Sequence, residues 1–232
     1  MVLLVFLFCF ACLATAPRAC DLALVLAVDT SGSVDSREYA IQVQGLAAAL
    51  RDGIVVEALL DQQAYVTLIQ WTGSTRQRQT IPWMQMRSDR DIAAFATWIE
   101  TDPRVWRNFS TAIGEALVAA EKALAEVSHC RRKVVDVSGD GISNEGILPG
   151  SRRSSLSAAG IVVNALAIEG DEVDLTGWFY ENLIHGEGAF VFTANSFDDY
   201  PEQIKRKLQR ETTRQVSDLK RRDHSQPSRD HK

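Results

Sequence analysis

The chain has 232 residues and a formal net charge of −5, with 46% hydrophobic and 24% charged residues, proportions that exclude a collagen-like, disordered or polytopic membrane protein. Its length points to one large domain with a sizeable core. The charge is divided: residues 202–232 hold ten basic and five acidic groups, leaving −10 on the remainder, and an acidic body argues against a nucleic-acid-binding domain, which needs a basic face. Residues 1–16 carry no charged side chain and are strongly apolar. The run is shorter than the roughly 20 residues a spanning helix needs. With the Ala14-Thr15-Ala16 sequence that closes it, it reads as a secretory signal over 1–19, with an uncleaved anchor or a lipoprotein as the alternatives, so the mature chain is expected to be periplasmic or secreted, with no spanning segment.

Residues 22–28 form a continuous apolar run of strand length, as in a parallel sheet covered on both faces. Asp35 and Glu38 make a capping-box spacing, and Tyr39, Val43, Leu46 and Leu50 repeat behind it at helical period. Residues 64–71 and 76–81 read as strands joined at Gly73-Ser74 in a hairpin. A short helix is expected over 91–99 and a longer one over 111–127. Strands follow at 133–138, 161–168 and 189–193, with helices at 151–159, 175–184 and 201–210. Strands thus alternate with helices, the pattern of an α/β fold with a doubly wound, mostly parallel sheet. Residues 213–232 are polar, charged and aperiodic and read as a disordered basic tail, leaving 20–212 as the domain.

Four cysteines occur. Cys9 and Cys12 would leave with the signal, and Cys20 and Cys130 would remain, an even number in an oxidising compartment.

The sharpest local feature is Asp29-Thr30-Ser31-Gly32-Ser33, immediately after the first apolar strand. In open α/β sheets ligands bind at strand carboxyl ends, and carboxylate and hydroxyl oxygens without His or Cys suit a hard cation: Mg²⁺ first, with Mn²⁺ or Ca²⁺ as alternatives. Asp140-Gly141 follows the strand at 133–138, again at a carboxyl end. Thr111 opens the long helix three residues before Gly114. Three loops therefore offer Asp29, Ser31, Ser33, Thr111 and Asp140 to one sheet edge.

With these residues in place the chain resembles the von Willebrand factor A-like family, whose metal-ion-dependent adhesion site has this pattern at all five positions. The segments 20–29 and 130–141 are similar to an uncharacterised, exported bacterial subfamily of such domains. The resemblance implies a six-stranded sheet of order 3-2-1-4-5-6 with one antiparallel edge strand. It also implies hydroxyl ligands from Ser31, Ser33 and Thr111, and charge from Asp29 and Asp140, directly or through water. One coordination position is then left for a partner protein's Asp or Glu carboxylate. That order places the first and fourth strands side by side, with Cys20 and Cys130 both at their amino ends, so a Cys20–Cys130 disulfide is expected, against the alternative of two free thiols.

The function implied is a non-enzymatic, cation-dependent protein-binding module. A metal-dependent phosphoester hydrolase and a metal-free structural domain of an envelope assembly are the alternatives. Against the hydrolase, no Asp-x-Asp pair follows the first strand, and no Lys, Arg or His is tied by motif to the site. Asp136, inside an apolar strand, needs a partner, with Arg132 or backbone as candidates. Trp71 is the tryptophan to watch near the site, Lys205, Arg206 and Lys207 read as a solvated helix face, and Asn108-Phe109-Ser110 matches a glycosylation acceptor.

Overall fold

The computed structural model describes residues 20–170 and 174–213. The expected leader lies outside them, as does the basic segment beyond Thr213. Six strands form one sheet in the order β3-β2-β1-β4-β5-β6. They are β1 (Leu22–Asp29), β2 (Tyr65–Trp71), β3 (Gln77–Gln85), β4 (Arg132–Gly139), β5 (Ile161–Ile168) and β6 (Val191–Ala194). Only the β2–β3 pair is antiparallel; the other four pairs are parallel. The expected hairpin is there, but β3 runs on to Gln85, and its register with β2 shifts between Val66 and Ile69. Pro82 in β3 lacks an N–H and is tolerated because β3 is an edge strand.

Every residue of β1 is buried, and its two faces feed two separate cores. Leu22, Leu24, Leu26 and Val28 pack with α1 (Ser36–Leu50), α2 (Gly53–Asp61), α3 (Asp89–Glu100) and α7 (Tyr200–Thr212). Ala23, Val25 and Ala27 face α4 (Ile113–Glu126), α5 (Arg153–Ala159) and α6 (Leu175–Asn182). This period-2 division of an unbroken apolar run is what covering a sheet on both sides requires.

α1 begins with the expected capping box: Asp35 Oδ1 accepts from Glu38 N at 2.8 Å and Glu38 Oε2 from Asp35 N at 2.7 Å. α2 was not expected. Asp52 caps it through the amides of Ile54 and Val55, but its apolar run GIVVEALLD buries only Val55 and Leu59, so it shows no clear stripe. A 3₁₀ turn (Pro149–Arg152) precedes α5. α4 starts at Ile113, two residues later than expected, which leaves Thr111 in the preceding loop.

Two expectations about polar residues are corrected. Asp136 pairs neither with Arg132 nor with backbone: its Oδ1 is bonded to Lys207 of α7. Lys207 is accordingly not on a solvated face but fully buried. It also meets Glu211 Oε2 at 3.3 Å, and Glu211 Oε1 accepts from Asn164 Nδ2 of β5 at 2.7 Å. The sequence pattern concealed this because a lysine one helical turn before a glutamate reads equally well as a solvent pair.

Cys20 and Cys130 are joined in a disulfide at the amino ends of the adjacent strands β1 and β4, where Leu22 pairs with Arg132. No helix among the described residues is long and apolar enough to cross a membrane.

Candidate metal centre

Asp29 is the last residue of β1, and the loop that follows is held from three sides. Thr30 donates through both its amide and its Oγ1 to the Trp71 carbonyl at the end of β2, at 2.9 and 3.1 Å. Arg104 Nη2 donates to the carbonyls of Thr30 and Ser31 at 3.1 and 2.8 Å. Gly32 N donates to the Phe109 carbonyl at 2.8 Å. A Cβ at Gly32 would lie 3.3 Å from Asn108 Cα and Phe109 O, so the close approach of these two loops is what glycine permits there. Trp71 contributes this carbonyl and core packing: its side chain is fully buried.

Within that frame the hydroxyls and carboxylates converge. Asp29 Oδ1 accepts from Ser31 N at 2.7 Å. Ser31 Oγ is 3.2 Å from Ser33 Oγ. Ser33 Oγ donates to Asp140 Oδ1 at 2.7 Å, across 107 positions of sequence. Thr111 is buried, and a Cβ at Gly141 would fall 3.7 Å from its Oγ1. Asn144 locks Thr111 in place: its Oδ1 accepts from Thr111 N at 3.0 Å and its own N donates to Thr111 O at 2.9 Å. Gly114 lets α4 meet the following loop, since a Cβ there would lie 2.0 Å from the Ile147 carbonyl oxygen. All five residues named from sequence thus lie at one edge. Arg104 and Asn144 were not singled out by sequence, because neither falls at a spacing that marks it.

Electrostatically the edge is overloaded with carboxylate. Burial, and after it the charge of Asp140, pushes the Asp29 carboxyl up to about 8. Asp140 is also raised, by burial, against the opposing bond from Ser33. Asp29 Oδ2 is buried without a hydrogen-bond partner and faces Gly139, where a Cβ would sit 3.1 Å from it. An orphaned carboxylate oxygen beside a second carboxylate and three hydroxyls is an all-oxygen donor set, which fits a hard divalent cation. The edge opens into a cleft of about 610 Å³ lined by Ser33, Glu38, Thr111, Asp140, Glu169 and Asp198, among others.

A family model described as a protein of unknown function (DUF1194) matches residues 19–216. The chain belongs to the DUF1194 family. Among solved structures, this DUF1194 chain is similar to proximal thread matrix protein 1 from the mussel byssus, solved with a zinc-occupied MIDAS motif, at TM-score 0.62 and 17% identity over 84% of this chain and 46% of that one. It is also similar to a von Willebrand factor type A protein from Catenulispora acidiphila (TM-score 0.56, 15% identity, 84% and 44% covered). A third likeness is to an aerotolerance-related membrane protein from Bacteroides fragilis NCTC 9343 (TM-score 0.53, 18% identity, 82% and 99% covered). The fold is that of the von Willebrand factor A domain. The chain spans less than half the length of the mussel and Catenulispora chains. No curated protein matches it.

Proposed function

We propose that this DUF1194 chain is an exported, non-enzymatic protein-binding module. Asp29, Ser31, Ser33, Thr111 and Asp140 hold a divalent cation in the manner of a metal-ion-dependent adhesion site, with Mg²⁺ ahead of Mn²⁺ and Ca²⁺. A partner protein docks an Asp or Glu carboxylate on it. The observation that carries this is the Ser33–Asp140 contact at 2.7 Å, which joins two loops at the buried, unpartnered Asp29 Oδ2. Two carboxylates balance the ion's charge, and neutral hydroxyls leave it able to accept a third carboxylate from outside. The cation supplies the bridge. The chain's own residues supply its cage, held rigid by Arg104, Asn144 and the Trp71 carbonyl.

Binding is favoured over turnover by what lines the cleft. Among the described residues Arg37 is the one basic side chain there, and it is paired with Asp198 at 2.9 Å, so the cationic clamp that a phosphoester substrate calls for has no free candidate among the cleft's described lining. Export is supported by the apolar residues 1–16 and by the Cys20–Cys130 disulfide, which suits an oxidising compartment. The mussel protein's zinc-occupied motif supports cation use by this fold.

The test is water-proton relaxation with Mn²⁺. An ion held with an open position keeps an exchanging water, so relaxivity rises on binding and falls again when acetate takes that position. Both changes are expected in the wild type and absent in Ser31→Ala/Ser33→Ala. Equal Mn²⁺ binding by the variant sinks the reading.

A further inference from the structure

At the edge of the sheet opposite the candidate metal centre, bases gather around a second cavity. Arg131 precedes β4, and Arg132 and Lys133 open it. Successive side chains of a strand point to opposite faces. Arg132 turns to the α7 side, where its Nη1 donates to Gln62 Oε1 and its Nη2 to the Glu211 carbonyl, both at 3.1 Å. Lys133 turns to the α5 side, where its Nζ donates to the Ala159 carbonyl at 3.2 Å. Arg210 of α7 lies over the Phe190 ring at 4.0 Å. These four bases line a cavity of about 350 Å³ whose described acids are Glu187 and Glu211.

The charges there are answered unequally. Arg131 pairs with Asp21 at 3.2 Å. Glu211 is turned inward, its Oε1 accepting from Asn164 Nδ2 and its Oε2 from Lys207 Nζ. Lys133 meets a neutral carbonyl and Arg210 a neutral ring, and no ion pair joins either to a carboxylate among the described residues. Lysine carries three donors and arginine five, so both keep N–H groups to give after these contacts. Stacking also fixes the plane of the Arg210 guanidinium, whose donors all lie in that plane. Gly160 and Gly188 border the cavity, and a Cβ on either would meet nothing within 4 Å, so the rim is open to a group carried on a larger molecule.

We propose that this cavity binds a phosphate group, held by Lys133 and Arg210. The two bases come from opposite faces of the sheet, Lys133 from the α5 side and Arg210 from α7. A tetrahedral phosphate presents oxygens in several directions and can take donors from both, whereas a planar carboxylate is matched by a single guanidinium fork. A phosphate dianion also answers two unpaired positive charges at once. Arg132, fixed by Gln62 and the end of α7, adds its charge to the floor. The site is independent of the candidate metal centre, and it gives the module a second ligand at its other end.

Calorimetric titration of inorganic phosphate into chain 20–232, at low salt and without divalent cations, tests this. Lys133→Gln/Arg210→Gln should weaken binding by about tenfold or more. Lys205→Gln/Arg206→Gln, which removes the same charge from outside the cavity, should leave it unchanged. Equal weakening in the two variants, or none in the first, overturns the site, as does succinate binding as tightly as phosphate. In ¹⁵N-labelled wild type, phosphate should shift the amide signals of Gly160 and Gly188; unmoved signals overturn the site without recourse to any variant. Vesicles of phosphatidylcholine with and without phosphatidic acid separate the sources of the phosphate. Co-sedimentation that needs phosphatidic acid and is lost in Lys133→Gln/Arg210→Gln places the phosphate on a lipid headgroup. Calorimetric binding without co-sedimentation places it on a soluble molecule.

Discussion

Gly114 is the residue at which the site and the fold make the tightest demand on one another. A Cβ there would lie 2.0 Å from a backbone oxygen, that of Ile147, not from a side chain that could swing away. The loop carrying Ile147 also carries Asn144, which holds both backbone polar groups of Thr111. Gly114→Ala should therefore lower stability by about 1–3 kcal/mol, the usual cost of overpacking, and weaken cation binding as well; urea melts and Mn²⁺ titration of the variant measure the two effects. A Gly114→Ala protein with wild-type melting would contradict the contact. At this scale the sequence was most informative. Asp29, Ser31, Ser33, Thr111 and Asp140 were legible because their spacing relative to strand ends places them before any coordinates exist. Arg104 and Asn144 were illegible because they act by reaching backbone atoms of other loops, and no pattern within their own segments encodes that reach.

At the scale of elements, α7 is tied to the sheet by charge as well as by Ile204 and Leu208. Lys207, Asp136 and Glu211 form a buried group with two acids to one base. Burial, then the charge of Glu211, pushes the Asp136 carboxyl up to about 8 against the pull of Lys207. A carboxyl raised above its unfolded value is protonated more readily in the folded protein. Its contribution to stability is thus full below about pH 4 and is lost as pH rises towards about 8. Asp136→Asn should flatten that decline in the cation-free protein, leaving Lys207 paired with Glu211; chemical denaturation at pH 5, 6.5 and 8 reads it. An unchanged slope would contradict the assignment. Lys207→Met, which strands two buried acids, should cost about 3–5 kcal/mol. Strands and most helices were legible from apolar period, whereas α2 was missed because its run buries only Val55 and Leu59. The role of Lys207 was missed because burial of a charged helix face is decided by what packs over it.

For the whole molecule, the two cores are divided by one sheet, and the disulfide closes the sheet at the edge opposite the candidate metal centre. Its two cysteines are 110 residues apart in sequence, so reduction frees a long loop in the unfolded chain. Cys20→Ser/Cys130→Ser should lose about 2–5 kcal/mol while cation affinity stays unchanged, because none of the five site residues lies near that edge. Loss of cation binding in this variant would show that the two ends of the sheet are coupled. The doubly wound architecture was readable from strand and helix alternation, but the strand order came from resemblance, since alternation alone does not say which strands are neighbours.

The claim on which the functional reading turns is the divalent cation. Calorimetric titration of Mg²⁺, Mn²⁺ and Ca²⁺ into chain 20–232, beside Asp29→Ala, tests it most directly. The account predicts one site per chain in the wild type and none in the variant. Absence of binding by all three cations in folded wild-type protein, or equal binding by Asp29→Ala, would contradict it.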